Sequence, residues 1–499
     1  MYISICWKFL KLEYYYLRIW VIKNPFMTIL SNHMTTGYYS EDLLRKKETK
    51  FVILYTLILL ISFSPWKALG QFVGVVCILG LLFYVQLKTK THLWKFGIFL
   101  LGYCAIGCIY YFLMPEFSFI NFFLILITLS SVFVIFYDLR LVSNPHVLAR
   151  VSRITKWVIF IEAIYGITQG LVSAVKWGSF DLASGDHVRG TIEPSFQAMG
   201  LGGNVIYAIL LSSLLLYVIG TNHLRLTSTN LLIYITVLVA WIVASVLHTI
   251  LFVGLAVIIS ILIIRIPKKA LKELRLLRNF RRRLLFILLI FVFLLPIFIP
   301  RNLRTARNYL SFILDIREDA YSEKSRAIYY TLFVLPEEVF LQPIIGIGPG
   351  QYSSRAALIR TGQYLQGSSV PLPAYISSST QVILDYWKRV LNRPGQGSTY
   401  FPFSSWISLY GEFGLIGFFI AGAVVIFAAV RIRKWYSPYF TGLNLMMLIL
   451  LFYLFFLGFQ DNYWEFTQAI FPAFLVLKLG YCHLSLQNKN LSLPRSNSE

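Results

Sequence analysis

Long runs of hydrophobic residues alternate with short polar segments along almost the whole chain. Each run is long enough to cross a bilayer as an α-helix, and the pattern predicts about twelve such spans. The spans are predicted near residues 51–66, 72–87, 94–114, 119–137, 157–175, 197–220, 231–247, 249–265, 284–300, 407–430, 441–460 and 463–480. The sequence therefore predicts an all-α polytopic membrane protein.

The remaining segments complete the predicted organisation. Residues 1–50 mix aromatic and basic side chains and indicate a cytoplasmic or interfacial segment. Met27 and Met34 are alternative starts to Met1. Residues 51–300 hold spans one to nine, and residues 407–480 hold spans ten to twelve. Between them, residues 301–406 form one large, mostly helical outer loop, called the large loop below, and residues 481–499 form a cytoplasmic tail.

Charge placement predicts the orientation of the chain. Only 13% of residues are charged, where a soluble protein carries about a quarter. The short links predicted outside carry only Lys67, Lys176 and Arg189, so both termini are predicted in the cytoplasm. The net charge of +23 is then a topology and anionic-lipid signal, and nucleic acid is not expected as a partner. The basic stretch 265–283 predicts an amphipathic element lying on lipid.

The most unusual polar stretch is residues 187–200, just before the sixth span. Pro194 or Ser195 is predicted to begin that helix, with Glu193 as its cap. A helix N-terminus attracts phosphate, and Arg189 adds a flat fork of donors. We interpret this stretch as an anion site. The alternative is a capped helix in which Arg189 pairs only with Glu193.

The other spans offer few polar candidates. Glu162 and Gln169 lie in the fifth span, where a carboxylate is a functional candidate by default. Glu162 is near the predicted cytoplasmic end, so pairing with Lys156 is the expected outcome. His248 occupies a very short outer turn between spans seven and eight. The last two spans contribute no motif.

The large loop combines basic, glycine-rich and aromatic segments. Arg301 and Arg304 recur at a helical spacing, and Arg326 lies in the helical stretch 319–334. Residues 343–350 form a glycine-rich turn that could cradle phosphate, although it lacks the nucleotide fingerprints. Several tyrosines and Trp387 offer rings that suit sugar faces. His187 and His248 show no ligand spacing with nearby carboxylates, so no metal is expected.

Taken together, these segments resemble the O-antigen polymerase and O-antigen ligase superfamily, bacterial inner-membrane glycosyltransferases. Four features carry the resemblance: Arg189-Gly-Thr-Ile-Glu193-Pro194-Ser195 before a span, Ser325-Arg326 followed by Pro343 to Gly350, Gly411-Glu412-Phe-Gly414-Leu-Ile-Gly417 after the large loop, and the layout of spans. The resemblance implies a GT-C-like fold. Ligases of this superfamily usually carry a His-Asn pair near the positions of Phe403 and Ser404, and residues 301–406 contain no histidine. The resemblance therefore favours a polymerase.

The resemblance also implies a reaction. A sugar hydroxyl of one undecaprenyl-diphosphate-linked oligosaccharide attacks the anomeric carbon of another, and undecaprenyl diphosphate leaves. Arg189 and Glu193 are the catalytic candidates: the arginine holds the diphosphate, and the glutamate, with His187 in reserve, orients or deprotonates the hydroxyl. Residues expected to bind the diphosphate or glycan are Arg326, Arg301, Arg304, His187, His248, Tyr330, Gly346, Gly348 and Gly350. No cofactor is expected.

Other functions stay open at this point. A ligase would transfer the glycan to a lipid or other acceptor. A secondary transporter would share the spans, but it would place more polar groups at mid-bilayer. A non-catalytic scaffold for glycan assembly would need the large loop but not Arg189. Membrane lipids, a chain-length regulator and a flippase are the expected partners.

Overall fold

The computed structural model describes residues 41–65, 90–136, 139, 144–177, 188–193, 203–222, 227–244, 246–264, 315–362, 374–392, 400–434 and 441–492. Within these ranges the chain is helical and contains no strand. Residues Val52–Glu499 form one compact unit, which holds every contact described below.

The first half of the chain contributes seven described α-helices. They are α1 (Glu41–Ser62), α2 (Lys90–Leu113), α3 (Phe119–Thr128), α4 (Pro145–Trp177), α5 (Gly203–Thr221), α6 (Ser228–Val243) and α7 (Leu247–Ile263). α5 is buried along almost its whole length, because α4 and two later helices, Thr441–Leu457 and Thr467–Ser492, pack around it.

The second half contains short helices in the large loop and then three long ones. The helices of the large loop are α8 (Glu323–Tyr329), a π-helix (Tyr330–Val334), α9 (Leu335–Glu338), α10 (Gln342–Ile345), α11 (Arg355–Arg360) and α12 (Ser378–Leu391). The long helices are α13 (Ser405–Lys434), α14 (Thr441–Leu457) and α15 (Thr467–Ser492).

Four described helices are long and apolar enough to cross a membrane. They are Pro145–Lys176, Gly203–Thr221, Ser405–Arg433 and Thr467–Leu486, with mean hydropathy between 1.6 and 2.6. α13 exposes a continuous apolar face that includes Phe419 and Ile426, as expected for a surface that meets lipid tails. The described residues are therefore all-helical, and four of their helices fit a membrane protein. The predicted spans 72–87 and 284–300 and the basic stretch 265–283 lie outside the described residues.

Two spans differ from their predicted bounds. The fourth was expected to run to residue 137, but α3 ends at Thr128 and a 3-10 helix follows it. The fifth was expected from residue 157, but α4 already begins at Pro145. Asn144 explains the early start, since its Oδ1 accepts from the N–H of Val147 at 2.9 Å and caps the first turn. Arg150, Arg153 and Lys156, which precede the predicted span, therefore lie on the helix.

The described part of the large loop has a hydrophobic core of its own. α8 and α12 pack against each other over this core. Its buried members are Ala327, Tyr330, Leu335, Ile347, Tyr352, Leu358, Ile383, Leu384, Trp387, Val390, Phe401 and Phe403. The helical stretch expected from Asp319 begins at Glu323. The described part of the large loop is mostly helical.

Candidate functional site

The Arg189 turn, residues 188–193, is held by a glutamine of α4. Gln169 accepts from the N–H groups of Arg189 at 2.9 Å and Gly190 at 2.8 Å through its Oε1. Its Nε2 donates to the carbonyl oxygens of Gly190 and Glu193, both at 3.1 Å. Buried backbone groups need such partners, and a single turn of 3-10 helix cannot supply them all. Gln169 therefore fixes the backbone of this turn to α4.

Glu162 is the second residue of α4 that holds the turn. Its carboxylate accepts from the N–H of Thr191 at 3.0 Å and from the Thr191 hydroxyl at 2.6 Å. The expected pairing with Lys156 is not what the structure shows, because Lys156 donates to the side chain of Asn230 at 3.1 Å. Glu162, the carboxylate of the fifth predicted span, therefore contacts the Arg189 turn.

Gly190 is required where it stands. Its φ of +58° lies in the left-handed region, and a Cβ there would lie 2.6 Å from Glu162 Oε2 and 2.5 Å from the ring of Tyr207. No other residue fits between these groups without displacing one of them.

Arg189 carries a buried charge next to a carboxylate. The residue is 1% exposed, and its Nη1 donates to the carboxylate of Glu193. A Cβ on Gly203, at the start of α5, would lie 3.0 Å from both Arg189 Cδ and Glu193 Oε2, so the helix backbone packs against the pair. Both the anion-site interpretation and the structural alternative predict this ion pair, so the pair does not decide between them. His187 and the helix start expected at Pro194 or Ser195 lie outside the described residues.

The glycine-rich motif of the large loop packs against the one near the start of α13, and together they form what we call the glycine joint, residues 346–350 with 411–414. The N–H of Ile347 donates to the carbonyl of Gly411 at 2.9 Å. Gly346 and Gly414 both have positive φ, and a Cβ on either would lie under 2.5 Å from the backbone of the other motif. These glycines allow two backbones to touch, which explains why both motifs need them.

Glu412 lies inside the glycine joint, with 1% of its surface exposed. Oε2 accepts from the N–H of Gly350 at 2.7 Å, and Oε1 accepts from the N–H groups of Tyr352 at 3.2 Å and Ser354 at 3.1 Å. Both oxygens are therefore used as acceptors.

The three glycines expected to bind substrate all donate to acceptors of the protein. The N–H of Gly346 donates to the carbonyl of Gln342 at 2.8 Å, and that of Gly348 to the carbonyl of Glu412 at 3.1 Å. The N–H of Gly350 donates to the Glu412 carboxylate. The sequence suggested a phosphate cradle, whereas in the structure these N–H groups are used within the glycine joint.

Arg326 is half-buried at the surface of the large loop. Its Nε donates to the carbonyl of Ala320 at 2.6 Å, and its Nη1 lies 3.4 Å from the carboxylate of Glu323. The other oxygen of Glu323 lies 3.9 Å from Nη1 of Arg389 on α12. Two guanidinium groups thus share one buried carboxylate. Arg301 and Arg304 lie outside the described residues.

Two further candidates take part in packing. Tyr330 begins the π-helix, lies in the core of the large loop, and donates to Glu338 Oε2 at 2.6 Å. Burial raises the pKa of its hydroxyl. His248, at the start of α7, stacks on Tyr463 with ring centroids 5.5 Å apart, and its Nε2 lies 3.0 Å from the Tyr463 hydroxyl. The His248 side chain therefore faces the segment between α14 and α15.

That segment, residues 458–466 and called the link below, was expected to carry no motif, and this expectation is wrong. Its Asn462 donates to the carbonyl of Ser353 at 2.6 Å and accepts from the hydroxyl of Ser408 at 3.0 Å. The N–H of Ser405 donates to the carbonyl of Asp461 at 3.2 Å. The link therefore joins the interior of the large loop to the start of α13.

Lys324 ties the beginning of the large loop to the same link. The residue is 1% exposed, and its Nζ donates to the carbonyl of Gln460. Burial lowers its pKa to about 8, although the negative charge of Asp461 opposes this shift. Burial likewise raises the pKa of Asp461 to about 6. A buried lysine facing a buried carboxyl, with both pKa values moved towards neutrality, is typical of functional sites.

Glu465 and Arg355 form a second buried contact between the link and the large loop. Arg355 Nη1 donates to the carbonyl of Glu465 at 3.4 Å, and its guanidinium lies 3.9 Å from the ring of Phe466. Burial, with the charge of nearby Arg355 acting in the opposite direction, raises the pKa of Glu465 to about 7. Among the described residues, Oε2 of Glu465 has no hydrogen-bond partner.

The turn after α1 lies between the Arg189 turn and the start of α15. The hydroxyl of Thr191 lies 2.7 Å from the carbonyl of Phe63, at the end of α1. Gln468, at the start of α15, donates to the carbonyls of the two neighbouring residues, Ser62 at 2.8 Å and Ser64 at 3.2 Å. The Ser62 turn, residues 62–64, therefore holds the Arg189 turn on one side and the start of α15, directly after the link, on the other.

The link could have been found from the sequence. Asp461 and Glu465 stand between two apolar runs, in a turn too short to need charged residues for solubility.

Within the described ranges, no cluster of three or more His, Cys, Asp or Glu side chains is arranged to hold a metal ion. Comparisons with protein-family models, with curated proteins and with solved structures find no match to this chain.

Proposed function

We propose that this membrane protein is a glycosyltransferase of the polysaccharide polymerase type. It transfers an undecaprenyl-diphosphate-linked glycan onto a second lipid-linked repeat unit of an O-antigen, capsule or exopolysaccharide. In this proposal it lies in a bacterial inner membrane, with both termini cytoplasmic and the large loop outside. The resemblance of its motifs supplies the chemistry, and the arrangement of the Arg189 turn supports it.

One observation carries the proposal. The Ser62 turn holds the Arg189 turn through Thr191 and the start of α15 through Gln468. The link leads directly into α15, and it also accepts from Lys324 of the large loop. The two motifs that the resemblance makes partners, more than a hundred residues apart, are therefore connected through the Ser62 turn, the start of α15 and the link.

The chemistry follows from charge. When the bond between the anomeric carbon and the diphosphate oxygen breaks, negative charge develops on the diphosphate, and fixed positive charge lowers that barrier. Arg189 is held rigidly, because Gln169 fixes its backbone and α5 packs over its side chain. A guanidinium has five N–H donors, so its bond to Glu193 is compatible with binding phosphate oxygens. Arg326, on the large loop, provides the second charge.

Deleting the gene tests the proposal, with the surface glycans and the lipid-linked glycans analysed together. Loss of polymer with single repeat units retained on the lipid carrier is the expected result. Polymer that accumulates on the lipid carrier without transfer would identify a ligase. Unchanged glycans in the deletion strain would reject a function in glycan assembly.

A further inference from the structure

Lys324 is a buried amine at the meeting point of three parts of the chain. It belongs to α8, two residues before Arg326. Its Nζ reaches across to the link and donates to the carbonyl of Gln460. An isolated lysine is rarely buried to this extent, because an ammonium ion loses its hydration. Its position therefore calls for an explanation beyond packing.

The groups around Lys324 are titratable and come from different elements. Asp461 of the link and His248 at the start of α7 both lie close enough to interact with its charge. Arg355, from α11, also interacts with the charge of Asp461. On α8 itself, Glu323 directs its carboxylate towards Arg326 and Arg389. Lys324 thus shares its surroundings mainly with one carboxyl group and one imidazole.

Glu193, the other candidate for the general base, already has a partner. It is paired with the buried guanidinium of Arg189. The large loop has no histidine to take this part. Ser405, next to the position where the resemblance would place the His-Asn pair, donates to the backbone carbonyl of Asp461. The side chain of that same Asp461 faces Lys324.

We propose, on the basis of the function proposed above, that the neutral amine of Lys324 accepts the proton of the acceptor hydroxyl. The hydroxyl oxygen forms the new bond to the anomeric carbon of the donor while the bond from that carbon to the diphosphate oxygen breaks. The electron pair of the broken bond leaves with the diphosphate. Lys324 is left as an ammonium ion and returns its proton to solvent before the next cycle.

The step requires the large loop and the link to separate at one contact. In the structure Lys324 is closed off from solvent and donates to the carbonyl of Gln460. When the acceptor enters, its hydroxyl takes the place of that carbonyl beside Nζ. With a pKa of about 8, roughly one molecule in ten carries the neutral amine at pH 7, which suffices for a general base.

A conservative substitution separates this role from a structural one. Lys324→Arg keeps a positive charge and a donor towards Gln460, but a guanidinium does not lose its proton near neutral pH. We expect normal abundance in the membrane and polymer synthesis reduced by about 100-fold, the lower range for a lost general base. Lys388→Arg, on the exposed face of α12, is the matched control. Membranes of the deletion strain, which hold the unpolymerised lipid-linked units, provide the substrate.

The dependence of activity on pH gives a second test. It does not depend on whether an arginine side chain fits at position 324. Activity of the unchanged protein should rise with pH as Lys324 loses its proton. Asp461→Asn removes the negative charge that raises the pKa of Lys324, so the midpoint of this rise should move down by about one pH unit. Asparagine keeps an oxygen to accept from the N–H of Asn462, as Asp461 does at 2.7 Å.

Two outcomes would overturn the proposal: a Lys324→Arg protein that is abundant and fully active, or an Asp461→Asn protein with an unshifted profile. The proposed function fails by a different result, namely a deletion strain that still makes polymer. If the deletion strain lacks polymer and the Lys324→Arg protein restores it, only the assignment of Lys324 is wrong.

Discussion

Arg189 and Glu193 form an ion pair in which the arginine side chain is 1% exposed and the glutamate side chain 13%. Removing one member of a buried pair leaves the other charge without compensation, which typically costs about 3–5 kcal/mol. A structural arginine and a phosphate-binding arginine therefore predict different results for the same variants.

If Arg189 binds the diphosphate, Arg189→Lys should keep the ion pair and the protein level but lose about 100-fold in polymer synthesis. A point charge does not reproduce the two-pronged geometry of a guanidinium, and one lost donor costs about this much. Protein abundance and polymer length, measured in the same strains, check this expectation. The structural alternative predicts that Arg189→Ala and Glu193→Ala lower abundance together, with the double variant no worse than either.

The glycine joint predicts a contrast between two glycines of α13. Gly414→Ala should strongly reduce the amount of folded protein, because a Cβ would lie 2.4 Å from the backbone of Ile344 and the φ of +61° disfavours any side chain. Gly422→Ala is the matched control, since a Cβ there meets nothing within 4 Å. Thermal unfolding of the two purified variants in detergent would measure the difference. Equal stability would contradict the joint.

Glu412→Gln should destabilise the protein although it is nearly isosteric. Both carboxylate oxygens of Glu412 accept from N–H groups, so the amide NH₂ of glutamine would face a donor, either Gly350 or the Tyr352–Ser354 side. A buried donor without an acceptor typically costs about 1–3 kcal/mol. The melting temperature should fall accordingly. An unchanged melting temperature would show that the N–H groups do not hold this carboxylate.

The same substitution at Glu465 should have the opposite effect. Burial raises the pKa of Glu465 to about 7, so the folded state favours the protonated form. The wild-type protein should therefore gain stability as pH falls from about 7 towards the ordinary glutamate pKa of about 4.3. Glu465→Gln should stabilise the protein above pH 7 and flatten this dependence. Thermal unfolding between pH 5 and pH 9 measures both effects, and an equally steep profile in the variant would contradict them.

The topology has a direct test. Asp319 in the large loop has a side chain that is 81% exposed, and Ser228, at the start of α6, is exposed in a segment predicted inside. In intact cells, a membrane-impermeant maleimide should label Asp319→Cys but not Ser228→Cys, and permeabilised cells should label both. The reverse pattern would invert the orientation and remove the large loop from the outer face.

Hydrophobic runs were sufficient to predict an all-helical structure with helices long and apolar enough to cross a membrane, because twenty apolar residues have few other stable arrangements in a chain. The bounds of the helices were predicted less well. α4 begins earlier than predicted because a single capping asparagine, Asn144, continues the helix into a basic segment. A pattern of hydrophobic residues does not show where such a cap lies.

The candidate site was predictable only where its residues were unusual by themselves. Arg189 stood out as a charge beside a span, and Gln169 and Glu162 as polar residues within one. That Glu162 contacts Thr191 depends on how two segments meet, which no local pattern records. The glycine motifs were recognised, but their spacing suited a phosphate cradle as well as a backbone joint. Lys324 and Asp461 are ordinary residues until burial brings them together.

Lys324 and Ser405, on either side of residues 325–404, both donate to the link, at Gln460 and at Asp461. The segment between them is also fixed to the helices, because α11 packs on α3 and residues 346–350 touch the backbone of α13. Only its exposed positions are therefore free to change without moving the helices. If the proposed function holds, differences in sugar specificity between two such proteins are expected at those positions, and a chimaera that exchanges them alone would transfer specificity.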